Sequence, residues 1–139
     1  MGEVRLRWTG ERIQFVGDTR YGEQVRVGGD PEGPGAKPSD LLPLSLAACT
    51  AYDVVEILRK QRQDLRGLEA IVTSTQDEDP PWIFRAIHVE WVLTGALDLH
   101  KAERAIDLAE RTACAVAATI GSVVDLTHSV RIEPGGATG

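Results

Sequence analysis

The run from Pro38 to Gln63 leaves this chain few ways to fold. Its first half, Leu41-Leu42-Pro43-Leu44-Ser45-Leu46-Ala47-Ala48-Cys49-Thr50-Ala51, is apolar on nearly every side of a helix and rich in small residues. A helix of that kind must be buried almost all round, with another backbone approaching closely. The second half, Glu56 to Arg62, is charged and should emerge into solvent. Ser39 suits an N-cap, and Asp40 suits the positive end of the helix dipole. Pro43 falls about one turn inside and removes a backbone donor, which predicts a 3₁₀ start or a slight kink. One sheet and one further helix cannot cover so apolar a segment, so the sequence predicts an obligate homodimer with these helices packed across its interface.

The flanking segments alternate with a strand period. Glu3 to Trp8 and Arg12 to Val16, punctuated by Thr9-Gly10-Glu11, read as a hairpin, and Glu23 to Val27 as a third short strand. Gly28-Gly29-Asp30-Pro31-Glu32-Gly33-Pro34-Gly35 is a loop, without the spacing or the lysine of a phosphate-binding loop. After the long helix, Gly67 to Thr75 and Trp82 to Leu93 form an antiparallel pair, with Leu68, Ala70 and Val72 inward on one strand and Ile87, Val89, Trp91 and Leu93 on the other. A second helix, capped by Asp98 or Thr94, runs from about Leu99 to Ile120 and stops at Gly121. Its apolar stripe is Ala102, Ala105, Ile106, Ala109, Ala113, Val116, Ala117 and Ile120. A last strand, Leu126 to Ile132, ends at Pro134. The order βββ-α-ββ-α-β defines an α+β fold. Residues 1–134 read as one domain and 135–139 as a disordered tail.

Charge and length exclude several classes. A formal net charge of -6 and a pI near 5.0 argue against nucleic acid, which is approached with a basic patch. The N-terminus lacks an apolar signal core and no uninterrupted apolar run reaches about 18 residues, so neither secretion nor membrane spanning is expected and a cytoplasmic protein is the simplest reading. His88, His100 and His128 are scattered without a ligand spacing, so no metal is expected. No nucleophile elbow or dinucleotide fingerprint is present.

What remains chemically distinctive is Cys49 and Cys114, each inside a small-residue helical pattern. A thiol among alanines on a buried helix is usually a small inert hydrophobe. Two on helices that pack together would suit a reactive pair, one thiol attacking an oxidant and the other closing a disulfide onto the sulfenic acid. The attacking thiol must be ionised, and Cys49 lies too far into its helix for the dipole to help, so a guanidinium has to come from another element. Asp53, one turn beyond Cys49, either pairs with that arginine or leaves the thiol weakly activated. Tyr52 reads as a core aromatic that could also wall a pocket.

The stretch Gly35-Ala36-Lys37-Pro38-Ser39-Asp40-Leu41-Leu42 and the following Ala47-Ala48-Cys49-Thr50-Ala51-Tyr52-Asp53-Val54-Val55 resemble the OsmC/Ohr family of osmotically inducible and organic hydroperoxide resistance proteins. The proline eleven residues before the first cysteine, the cysteine on the second helix and the closing Thr127-His128-Ser129 strand fall in the same order, closest to the YhfA-like branch. The resemblance implies an intertwined homodimer with antiparallel sheets wrapped around long central helices. It also implies a thiol peroxidase for small organic hydroperoxides, recycled by an external dithiol and using no flavin, haem or metal. Cys49 matches the peroxidatic cysteine and Cys114 the resolving one. Relatives place a glutamate directly after the helix-opening proline, as partner of an arginine that stabilises the thiolate. Here that position is Ser39, with the acid shifted to Asp40, roughly half a turn out of phase with Cys49. A kink at Pro43 would partly restore Asp40; otherwise Asp40 serves the helix dipole. Arg12 is the candidate arginine, with Arg7 and Arg20 as rivals. The alternative reading is a noncatalytic stress-associated dimer, or one binding small apolar ligands, that keeps the fold and has lost the activating pair.

Overall fold

The computed structural model describes residues 2–134. The expected tail, 135–139, lies outside the described residues. The chain divides into two compact units, at Leu42/Pro43.

The N-terminal unit is a three-stranded antiparallel meander, β1 (Arg5–Trp8), β2 (Gln14–Asp18) and β3 (Gln24–Gly28), in the order β1-β2-β3. Its hairpins fall where Gly10 and Gly22 supply left-handed backbone (φ 89° and 91°). The sheet leaves Val4, Leu6 and Trp8 exposed.

Helix α1 (Pro38–Lys60) crosses into the second unit. It opens one residue before the expected Ser39 cap, because proline's fixed φ suits a first helical turn. It runs on through Pro43 as continuous α-helix, without the 3₁₀ start. Arg62 ends it in a left-handed conformation (φ 56°), and Gln63 N–H returns to Leu58 O at 2.9 Å. By length and composition α1 could cross a bilayer. Its Leu46, Val54 and Leu58, however, are part of a protein core.

That core is built on the second sheet, in the order β4-β5-β6, from β4 (Asp64–Gln76), β5 (Phe84–Ala96) and β6 (Asp125–Glu133). The inward sets are as the alternation predicts: Ile87, Val89, Trp91 and Leu93 are buried, with Leu68, Ala70 and Val72 packed against them. Gly95 (φ 140°) sits where any Cβ would collide with the Asp64 carbonyl, opposite a bulge at Leu65/Gly67. On the other face, His88 is held between the Thr127 and Ser129 hydroxyls at 2.7 and 3.1 Å.

Two sequence expectations need correction. The sheets are not all antiparallel: β6 pairs parallel with β5, because the chain crosses over through helices and returns in the same direction. And the second helix is not continuous. It splits into α2 (Leu99–Thr112) and α3 (Ala115–Ile120), with Ala113 and Cys114 in the break. Asp98 caps α2, accepting from His100 N–H at 2.9 Å and Lys101 N–H at 3.4 Å. Ala102, Ala105, Ile106 and Ala109 bury one face of α2 in the core.

Candidate functional site: a pair of thiols

On α1 the buried side chains Leu46, Thr50, Val54 and Leu58 recur every fourth residue and define the face turned into the core. Cys49 precedes Thr50 at the edge of that face and is half-buried. Tyr52, expected in the core, points away from it and is 69% exposed in this chain.

Cys114 arrives from the opposite direction. Ala113 and Cys114 both direct their N–H groups to Ala109 O, at 3.1 and 3.0 Å, which finishes α2. Cys114 then turns to extended backbone (φ -88°, ψ 104°) and becomes the N-cap of α3, its sulfur accepting from Ala117 N–H at 3.3 Å. The turn brings the sulfur, 2% exposed, against α1, where S–H donates to Leu46 O at 3.9 Å. There the side chains of Cys49 and Thr50 lie near enough to influence its ionisation. Both cysteines are free thiols.

Burial pushes the Cys114 thiol above its ordinary pKa. The Thr50 hydroxyl and the Ala117 N–H act in the opposite direction, and the neighbouring Cys49 thiol adds to the upward push. One turn before Cys114, Glu110 holds His128 of β6 at 3.2 Å. That hydrogen bond raises the His128 pKa against the opposing effect of burial, with help from the Glu110, Asp107 and Glu103 charges.

Each remaining sequence candidate has its own surroundings. Arg12 belongs to the N-terminal unit, where its Nε lies 2.7 Å from the nearly buried carboxylate of Asp30. Its rivals are also engaged: Arg7 is bidentate to Asp18 at 3.0 and 3.2 Å, and Arg20 stacks on Tyr21. Asp53 is half-buried on α1 and makes no ion pair among the described residues. Asp40 is exposed in the first turn of α1, its N–H bonded to Lys37 O at 2.9 Å, as a helix N-terminal carboxylate would be. No group of three or more His, Cys, Asp or Glu among the described residues is placed to hold a metal. Sequence reasoning missed Thr50 and Asp30. Thr50 had a signal, a hydroxyl one turn after Leu46 inside the most apolar part of α1. Asp30 was passed over as part of a glycine-rich loop.

The order of elements and the α+β fold agree with the comparisons to known proteins. The chain belongs to the OsmC-like protein family, whose model matches residues 29–129. It is 33% identical over 132 residues to Protein YhfA of Escherichia coli (strain K12), covering 94% of this chain and 97% of that relative. Among solved structures, a hypothetical protein from Aquifex aeolicus VF5 superposes with a TM-score of 0.87 at 26% identity, covering 98% of each chain. The organic hydroperoxide resistance protein OhrB of Bacillus subtilis shares the fold, with a TM-score of 0.63 at 21% identity over 94% of this chain and 98% of its own.

Proposed function

We propose that this chain is a two-cysteine thiol peroxidase for organic hydroperoxides, working as a cytoplasmic homodimer in which residues 1–134 form one OsmC-like domain. The observation that carries the reading is that Cys49 lies near enough to Cys114 to influence its ionisation, with Cys49 the more exposed of the two. The Cys49 thiolate attacks the terminal peroxide oxygen, the O–O bond breaks, and the alkoxide leaves and takes a proton to become the alcohol. Sulfur is oxidised to the sulfenic acid and the peroxide is reduced. Cys114, as thiolate, then attacks the Cys49 sulfur; hydroxide departs, is protonated to water, and a disulfide remains. An external dithiol reopens it by exchange, so no flavin, haem or metal enters the cycle. Arg12 is the cation assigned to the Cys49 thiolate, Asp53 the carboxylate that would orient it, and Asp40 a lesser contributor through the start of α1.

A noncatalytic dimer is the second reading. Arg12 engaged by Asp30, and Asp53 without an ion pair among the described residues, are the observations that favour it. Cumene hydroperoxide separates the two. With reduced wild-type protein in excess oxidant, peroxide should disappear and the mass should fall by two hydrogens as the disulfide closes. Equal, slow consumption by wild type and Cys49→Ser, with no disulfide, would exclude the peroxidase.

A further inference from the structure

We propose that Thr50 is a positioning residue for the resolving step: its buried hydroxyl holds the Cys114 sulfur facing Cys49 and donates to the thiolate as it forms. The proposal rests on the reading of Cys114 as the resolving thiol and extends it to a residue outside the pair.

Thr50 is 2% exposed, a buried hydroxyl on the core-facing side of α1. Such a hydroxyl is costly in an apolar core unless a polar neighbour occupies it. Its neighbourhood is fixed from both helices. The Cys114 sulfur lies 3.9 Å from Leu46 O, and on a helix the side chain at the fourth residue beyond a carbonyl stands over that carbonyl. For Leu46 that residue is Thr50. The sulfur also accepts from Ala117 N–H at 3.3 Å, and the Thr50 and Cys49 side chains are its polar neighbours on α1. Cys114 thus sits in a three-sided cradle: a backbone acceptor, a backbone donor and a hydroxyl that can act as either.

The cradle suits a thiol that is buried when protonated and must ionise to react. While Cys114 is protonated, S–H points to Leu46 O. When the proton is lost to solvent base, that acceptor has nothing to receive, and the Thr50 O–H can turn to donate to S⁻ beside the Ala117 N–H. Two donors then offset part of the cost of a buried anion. Because Thr50 follows Cys49 directly, the same contact sets the direction from which the thiolate meets the Cys49 sulfur.

The test isolates the second thiol from peroxide chemistry. The reduced full-length protein is mixed with excess 5,5′-dithiobis(2-nitrobenzoic acid), and release of thionitrobenzoate is followed over a range of pH. Cys49 forms the mixed disulfide and releases one equivalent. The Cys114 thiolate then attacks the Cys49 sulfur and expels the second, leaving the Cys49–Cys114 disulfide. In Thr50→Val the ratio of second-phase to first-phase rate should fall roughly tenfold, as expected for loss of a hydrogen bond to a charged group. The pH profile of that phase should move upward, and Thr50→Ser should restore both. Thr50→Ala, also lacking the hydroxyl but smaller, should behave as Thr50→Val and guards against a folding defect in either variant. Unchanged second-phase rate and pH profile in both hydroxyl-free variants would overturn the proposal, as would a Thr50→Ser protein as slow as Thr50→Val, or a wild-type protein that releases only one equivalent. If both phases appear but cumene hydroperoxide is not consumed, the peroxidase reading fails and the role of Thr50 stands.

Discussion

Cys49 and Cys114 are neighbours supplied by helices that treat them in opposite ways. α1 carries Cys49 within an unbroken helix, half-buried, at the edge of the core-facing stripe. The α2–α3 segment breaks to place Cys114, burying it and using its sulfur as the cap of the next helix. The difference teaches that the two thiols are not interchangeable: one is available to a ligand, and the other is part of the packing and moves only at a structural cost.

The largest test of this asymmetry is chemical. Cys49→Ser should lower peroxide consumption by two orders of magnitude or more, whereas Cys114→Ser should still consume about one equivalent of peroxide and stop with a sulfenic acid that dimedone traps. Alkylation comes next. Iodoacetamide should modify Cys49 at least about tenfold faster than Cys114, read by peptide mass, because only an accessible thiolate reacts. Comparable rates would mean that the break at Cys114 opens readily. Stability gives a smaller effect: Cys114→Ala removes a cap and buried sulfur together and should cost about 1–2 kcal/mol in urea unfolding, against less than about 1 kcal/mol for Cys49→Ala. Cys114→Ser, which keeps a capping atom, should recover part of the loss.

The smallest effect concerns the turn just before Cys114. His128 is raised above its unfolded pKa by Glu110, so the pair contributes fully below the unfolded value of about 6.5 and its contribution is lost as pH rises through the higher folded value. The stability of wild type relative to His128→Gln should therefore decline as pH is taken from about 6 to above the folded pKa, by less than about 1 kcal/mol. A flat difference would remove this pair from the support of the Cys114 turn.

Much of this was legible along the chain. The small-residue run of α1, the period-two pattern of β5 and the turn residues between strands each state a local preference that the fold keeps. The break at Ala113–Cys114 was not legible, because Ala105, Ala109, Val116 and Ala117 continue a helical stripe straight through it. The parallel course of β6 was equally hidden, since alternation identifies a strand and its faces but not the direction of its neighbour. Arg12 shows a different failure. A sequence offers arginines without saying which carboxylate holds each one, and Asp30, eighteen residues on and just after β3, takes it.

By itself the sequence determined the order of elements, the inward faces of the central strands and the two residues at which thiol chemistry can occur, because these follow from local periodicity and from side-chain type. Only the tertiary structure decided that Cys49 and Cys114 are neighbours, that Cys114 is the buried one and that Thr50 stands beside it. Those outcomes depend on where two helices distant in sequence touch, and that is settled by how α1, α2 and α3 share one core.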